Sequence, residues 1–137
     1  MEHKLTKVDE SLEQWISGVF DSYYGDMPDN PCKYYAFEAV DNGKRVGAIK
    51  FKLFSNWIQV EYLVVIKEEN ESGIGATLLQ KAEDFAKDKG CIGSMLTTIS
   101  YQTPDFYKKR GYEAFTEVEP YAKAHKKIFL KKLLNNE

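Results

Sequence analysis

Cysteine is scarce in this sequence. Cys32 and Cys91 are the only two among 137 residues, and no motif surrounds either of them. Neither has metal-ligand spacing, and the two histidines, His3 and His125, stand far apart, so no metal is expected. Long apolar runs are missing as well. Nothing approaches the ~18 consecutive apolar residues of a membrane span, and the polar N-terminus has no apolar signal core. The expectation is a reducing cytoplasm and no membrane partner. Charge of one sign is also lacking. The formal net charge is -2, without the clustered basic surface that a nucleic-acid partner requires. The richest basic stretch, Lys123 to Lys132, alternates with Ile128, Phe129 and Leu130 and reads as an edge strand with a solvated face.

What is present is an ordinary globular balance, 43% hydrophobic and 29% charged, which excludes a disordered chain. The length suits one domain with one core, spanning residues 1–137. Aromatic residues are plentiful at 14%, with 9 Tyr and 8 Phe, which suits strands and pocket walls as well as plain core packing. Cys91 lies among apolar residues and reads as a buried small hydrophobe.

Residues 2–9 alternate weakly and are expected to form a first edge strand. Ser11-Leu12-Glu13-Gln14 has a capping-box pattern, and Leu12, Trp15, Ile16, Val19, Phe20 and Tyr23 follow at helical spacing, so residues 11–24 should be a helix. Gly25 to Pro31 is dense in breakers and reads as a loop. Tyr34 to Val40 and Arg45 to Phe54 are strands around a tight Asn42-Gly43 turn. Trp57 to Ile66 is a third strand whose apolar end suggests cover on both faces. Gly73 to Lys89 should be an amphipathic helix stopped by Gly90. Residues 91–99 form a strand, Thr103-Pro104-Asp105 caps a short helix ending at Gly111, and Tyr112 to Val118 and Lys127 to Leu133 are late strands. The strand–helix–strand unit from 57 to 99 should make its two strands parallel within a mixed sheet.

The stretch Ile66 to Leu79 carries the clearest chemistry. An apolar strand runs into a turn with Gly73 and Gly75, which opens a helix. Glycines let backbone N–H groups approach an anion, and the helix start adds about half a positive charge. The turn lacks the Lys-Ser/Thr ending of a nucleotide P-loop and the three-glycine spacing of a dinucleotide fold. On its own it fits either an anion seat or a plain strand-to-helix turn.

A wider pattern narrows the choice. Leu63-Val64-Val65 is followed by Asn70-Glu71-Ser72-Gly73-Ile74-Gly75, and the helix continues as Leu78-Leu79-x-x-Ala82-Glu83-x-x-Ala86-x-x-x-Gly90. Further on stands Phe106-Tyr107-Lys108-Lys109-Arg110-Gly111-Tyr112. In spacing and order these segments resemble the GNAT (Gcn5-related N-acetyltransferase) family, bacterial single-domain type. That family's diphosphate loop reads Arg/Gln-x-x-Gly-x-Gly/Ala after a Leu-x-Val strand, and its later segment reads Phe/Leu-Tyr-x-x-x-Gly-Phe/Tyr. The resemblance covers most of the chain, best from Trp57 to Leu130. Two departures stand out. Asn70 replaces the Arg or Gln, and Glu71, with Glu68 and Glu69, makes the loop acidic, with only Lys67 to offset them locally.

The resemblance implies an α/β mixed sheet of six to seven strands with three to four helices. It implies acetyl-CoA as co-substrate and an N-acetyltransferase acting on a small-molecule or protein amine, with a homodimer compatible. The CoA diphosphate would lie over the N–H groups of residues 71–76, giving Asn70, Glu71, Ser72, Gly73, Ile74, Gly75 and Ala76 as cofactor contacts. The pantetheine arm would pair with the main chain of Val64, Val65 and Ile66, and Gln102 would hydrogen-bond pantetheine or substrate. Tyr107 matches the family's proton donor to the leaving sulfur. Family members often carry a basic carboxylate on the strand 57–66, where Glu61 is available, although a solvated strand-end residue is the equal alternative. Gln59, Glu61, Leu63 and Val65 should share one face by the period-2 rule. His125 is either a rim residue of the acceptor pocket or a surface-turn residue. Trp15, Tyr23 and Tyr24 fall where the family builds its acceptor wall, though Trp15 fits a core stripe better. The acidic loop leaves a second class open, a non-catalytic acyl-CoA-binding or partner-binding module. A third reading is an unrelated mixed α/β protein with a purely structural turn.

Overall fold

A computed structural model describes residues 1–25, 32–69, 72–100 and 103–134. The chain falls into two units, Met1–Asn30 and Pro31–Glu137.

The first unit contains helix α1, Glu10–Tyr24. It is helical because its apolar residues recur every three or four positions. The cap is Asp9 rather than Ser11. Asp9 Oδ1 accepts from the Leu12 N–H at 2.8 Å, and the helix starts one residue earlier than the capping-box reading places it. No strand forms before it. An isolated weak alternation with no partner strand leaves its main-chain groups to water.

The second unit is a six-stranded mixed sheet with two helices. In chain order its elements are β1 (Lys33–Asp41), β2 (Lys44–Phe54), β3 (Trp57–Val65), α2 (Ile74–Asp88), β4 (Gly93–Ile99), α3 (Pro104–Lys108), β5 (Glu113–Tyr121) and β6 (His125–Leu133). The spatial order is β1-β2-β3-β4-β6-β5. Asn42 and Gly43 both hold positive φ, 51° and 76°, as the tight β1–β2 hairpin requires. Helix α2 ends at the Lys89 cap before Gly90 at φ 91°.

Strand β6 corrects the edge-strand reading of Lys123 to Lys132. It is interior, pairing with β4 on one side and β5 on the other. Ile128 and Leu130 point into the core and Lys132, on the same face, carries its ammonium to the buried Glu83, while Lys127 and Lys131 lie on the other face.

The core joins α2 to one face of the sheet. Leu79, Ala82 and Ala86 of α2 meet Ile49 and Phe51 of β2 and Ile58 of β3, all essentially without exposure. Each such large apolar side chain contributes about 1.5–3 kcal/mol on burial. Phe85 closes one end against Tyr35, Phe37 and Phe51, at centroid distances of 4.7, 5.9 and 5.9 Å. Gly47 on β2 lets the start of α2 come close, since a Cβ there would stand 3.1 Å from Ile74 Cγ2 and 3.3 Å from Leu78 Cδ1.

Candidate active site

Strands β3 and β4 run parallel as expected but stay paired only at Trp57↔Gly93, Ile58↔Ser94 and Gln59↔Met95. Beyond Gln59 they part. From there β3 keeps only its partner β2, and β4 keeps only β6.

Which main-chain groups this opening releases follows from the β2–β3 ladder. The Ile66 N–H donates to the Val46 carbonyl at 2.9 Å, and Gly47 faces Val65 in the register. Successive residues turn their N–H and C=O to opposite sides, so Ile66 and Val64 serve β2. Val65 and, by the same alternation, Leu63 turn toward the gap. Of the expected trio Val64, Val65 and Ile66, only Val65 turns its main chain to the gap, and Leu63 joins it there.

A bulge at Glu61 moves the faces. Lys50 pairs with Tyr62 and the next β2 residue, Phe51, with Val60, so Glu61 is the extra residue. Ile58 and Val60 face α2 before the bulge, and Leu63 and Val65 do so after it. Glu61 points to the opposite face, where it meets Lys50 Nζ at 3.4 Å and Lys52 Nζ at 4.0 Å. The expected single face of Gln59, Glu61, Leu63 and Val65 is thus split. The end of β3 is not covered on both faces either, since Tyr62 and Val64 are exposed.

After β3 comes one 3-10 turn, Lys67–Glu69. Ser72 bonds back to it, with its N–H at 3.1 Å and its hydroxyl at 2.6 Å from the Glu69 carbonyl, so Ser72 is spent inside the protein. Gly73 follows at φ 87° and offers α2 no side-chain cap. The first bond into the helix runs from the Thr77 N–H to the Gly73 carbonyl at 3.0 Å. The N–H groups of Ile74, Gly75 and Ala76 precede that bond and lack an intrahelical acceptor, while the dipole adds positive character. Asn70, Glu71 and Gln102 lie outside the described residues.

These elements enclose a cavity of about 370 Å³ lined by Leu63, Val65, Gly73, Gly75, Ala76, Thr103, Phe106, Tyr107 and Arg110. Tyr107 is held by an edge-on contact to Phe106 at 5.1 Å and another to Tyr112 at 5.9 Å. Burial raises its pKa above the ordinary tyrosine value. Thr103 starts α3 without a side-chain cap bond. His125 opens β6 opposite Tyr121 and is not one of the residues that line this cavity. The sequence reading missed Arg110 and Phe106 as lining residues. Their spacing of four inside the Phe106–Tyr112 segment was the available signal, because such pairs meet on a helix face.

Behind the cavity lies a polar cluster that sequence alone did not suggest. Glu83, expected on the charged face of α2, is 2% exposed. It accepts from Tyr112 Oη at 2.8 Å and Lys132 Nζ at 2.7 Å, and Tyr112 Oη also meets Ser94 Oγ at 2.8 Å. Burial, then the Glu83 charge, push the Tyr112 phenol far above its usual range, while the Ser94 bond works the other way.

The profile of the Acetyltransferase (GNAT) family matches residues 4–112. A blasticidin-S acetyltransferase from Streptomyces morookaense is 31% identical over 97 residues, which is 69% of this chain and 71% of that protein. An acetyltransferase structure from Bacillus cereus ATCC 14579 aligns with a TM-score of 0.84 at 26% identity, covering 96% of this chain and 98% of the other. An aminoglycoside 6'-N-acetyltransferase complexed with coenzyme A shares the fold, with a TM-score of 0.70 at 17% identity and coverage of 98% and 97%.

Proposed function

The chain belongs to the GNAT family of acetyltransferases, and on that premise we propose that it moves an acetyl group from acetyl-CoA to a primary amine by direct attack on the thioester. The observation that carries this reading is the gap beyond Gln59↔Met95, which shares one cavity with the uncapped start of α2 and with Tyr107.

The chain's own residues fit acyl-CoA. Leu63 and Val65 turn unpaired main-chain groups into the gap, and buried N–H and C=O groups need partners. The pantetheine amides supply them in the manner of an added strand. The N–H groups from Ile74 to Ala76 take the diphosphate. A Cβ on Gly73 would meet no atom within 4 Å, so the space beside it is open to a ligand.

The acceptor amine must first lose a proton, because an alkyl ammonium has a pKa of about 10.4 and no free lone pair. Glu61 takes that proton directly or through water. Nitrogen then bonds to the thioester carbon, and the Val65 N–H steadies the oxyanion. As the carbon–sulfur bond breaks, Tyr107 hands its proton to the sulfur, whose thiol has a pKa near 8.5 by analogy with cysteine. The second proton shed by the acylated nitrogen passes to the tyrosinate, leaving neutral amide and CoA thiol. The raised pKa of Tyr107 keeps the phenol protonated for that role.

We take the acceptor to be a small-molecule amine, supported by the blasticidin-S relative, with protein lysine as the alternative substrate class. The free thiols of Cys32 and Cys91 support a reducing cytoplasmic setting. The test is release of free CoA thiol from acetyl-CoA in the presence of a panel of antibiotic amines, polyamines and lysine peptides. Turnover on one class identifies the acceptor. No heat of acetyl-CoA binding at millimolar cofactor would sink the reading, and binding without turnover on any amine would favour a non-catalytic module.

A further inference from the structure

We propose that Arg110 is the counter-charge for the diphosphate of acyl-CoA, standing in for the cation that the acidic loop before α2 does not provide. The inference rests on the acyl-CoA reading above. A diphosphate brings two negative charges, yet the approach to α2 carries Glu68, Glu69 and Glu71 against Lys67 alone. Among the described residues that line the cavity, Arg110 is the only charged one.

Its guanidinium is held where such a charge is useful. Nη1 donates to the Phe106 carbonyl at 2.8 Å, and Cζ lies 4.0 Å from the centre of the Phe106 ring. The far side of the arrangement is the helix start, since Phe106 Cζ is 3.5 Å from where a Gly75 Cβ would be. One aromatic ring therefore bridges the first turn of α2 and the cation. A stacked, tethered guanidinium loses little freedom on binding, and its planar fork suits two phosphate oxygens.

The charge is also unspent. Arg110 takes part in none of the ion pairs among the described residues. The neighbouring cation, Lys132, is committed to Glu83 at 2.7 Å. Only one of the guanidinium's five N–H donors is used by Phe106, which leaves donors for an anion.

The test titrates wild type, Arg110→Gln and Arg110→Lys by NMR with three ligands: CoA, 3'-dephospho-CoA and pantetheine. Arg110→Gln should weaken CoA and dephospho-CoA alike by about tenfold, the scale of one charge-assisted bond, and leave pantetheine unchanged. Arg110→Lys should fall between. Equal CoA binding by Arg110→Gln overturns the assignment. So does a loss confined to CoA, which would put Arg110 on the 3'-phosphate, or an equal loss for all three, which would make it structural. A wild-type chain that binds none of them removes the acyl-CoA reading itself, a result distinct from those three.

Discussion

The Tyr112 hydroxyl donates to Glu83 Oε2 at 2.8 Å across 29 residues of sequence, and Lys132 holds the other carboxylate oxygen at 2.7 Å. The contact ties α2 to the strands β5 and β6 through one buried anion. Ser94 on β4 completes it from below. The Tyr112 N–H donates to the Tyr107 carbonyl at 3.1 Å, so the same residue anchors the α3 end of the cavity.

Removing the cation should expose how much that anion depends on it. Lys132→Met leaves a buried carboxylate with only the Tyr112 hydroxyl, and is expected to cost about 3 kcal/mol. Urea denaturation measures this. A change within experimental error would mean that the Lys132–Glu83 contact contributes little to the fold.

Tyr107→Phe keeps the ring contacts and deletes the proton. Turnover should fall at least about tenfold, with little change in CoA affinity. Because burial raises the wild-type pKa, the alkaline fall in activity due to this group should lie above pH ~10. Unchanged turnover would remove Tyr107 from the mechanism.

At Gly73 the backbone stands at φ 87°, so two substitutions separate strain from occupancy. Gly73→Asn tolerates that conformation and should fold with modestly weakened binding. Gly73→Glu adds a carboxylate beside the phosphate seat and should abolish CoA binding, read by calorimetry. Intact binding in the Glu variant would show that the diphosphate lies elsewhere.

Glu61→Gln tests the base. The bulge aims Glu61 at Lys50 and Lys52, and the pair is partly exposed, so the stability change should stay under about 1 kcal/mol. Turnover at neutral pH should drop by about a hundredfold with a small change in KM for acetyl-CoA. Equal activity would assign proton removal to water alone.

Local pattern was enough for much of this protein. The spacing of Leu78, Leu79, Ala82 and Ala86 wrote helix α2, Asn42-Gly43 wrote the hairpin, and the glycine turn with the Phe106–Tyr112 segment pointed to an acyl-CoA site. Each of these depends on neighbours within one element, where periodicity and turn chemistry act directly. What pairing between distant segments controls was not legible. The interior place of β6 depends on β4 and β5 both choosing it, and that choice lets Lys132 reach Glu83. The bulge that turns Glu61 away from Leu63 exists only in the register with β2. The division of labour between Ile66 and Val65 comes from that same ladder, and the gap Val65 faces exists because β4 parts from β3 after Met95 while it stays paired with β6. Arg110 reached the cavity through Phe106, a contact that means something only once α3 is laid against the start of α2.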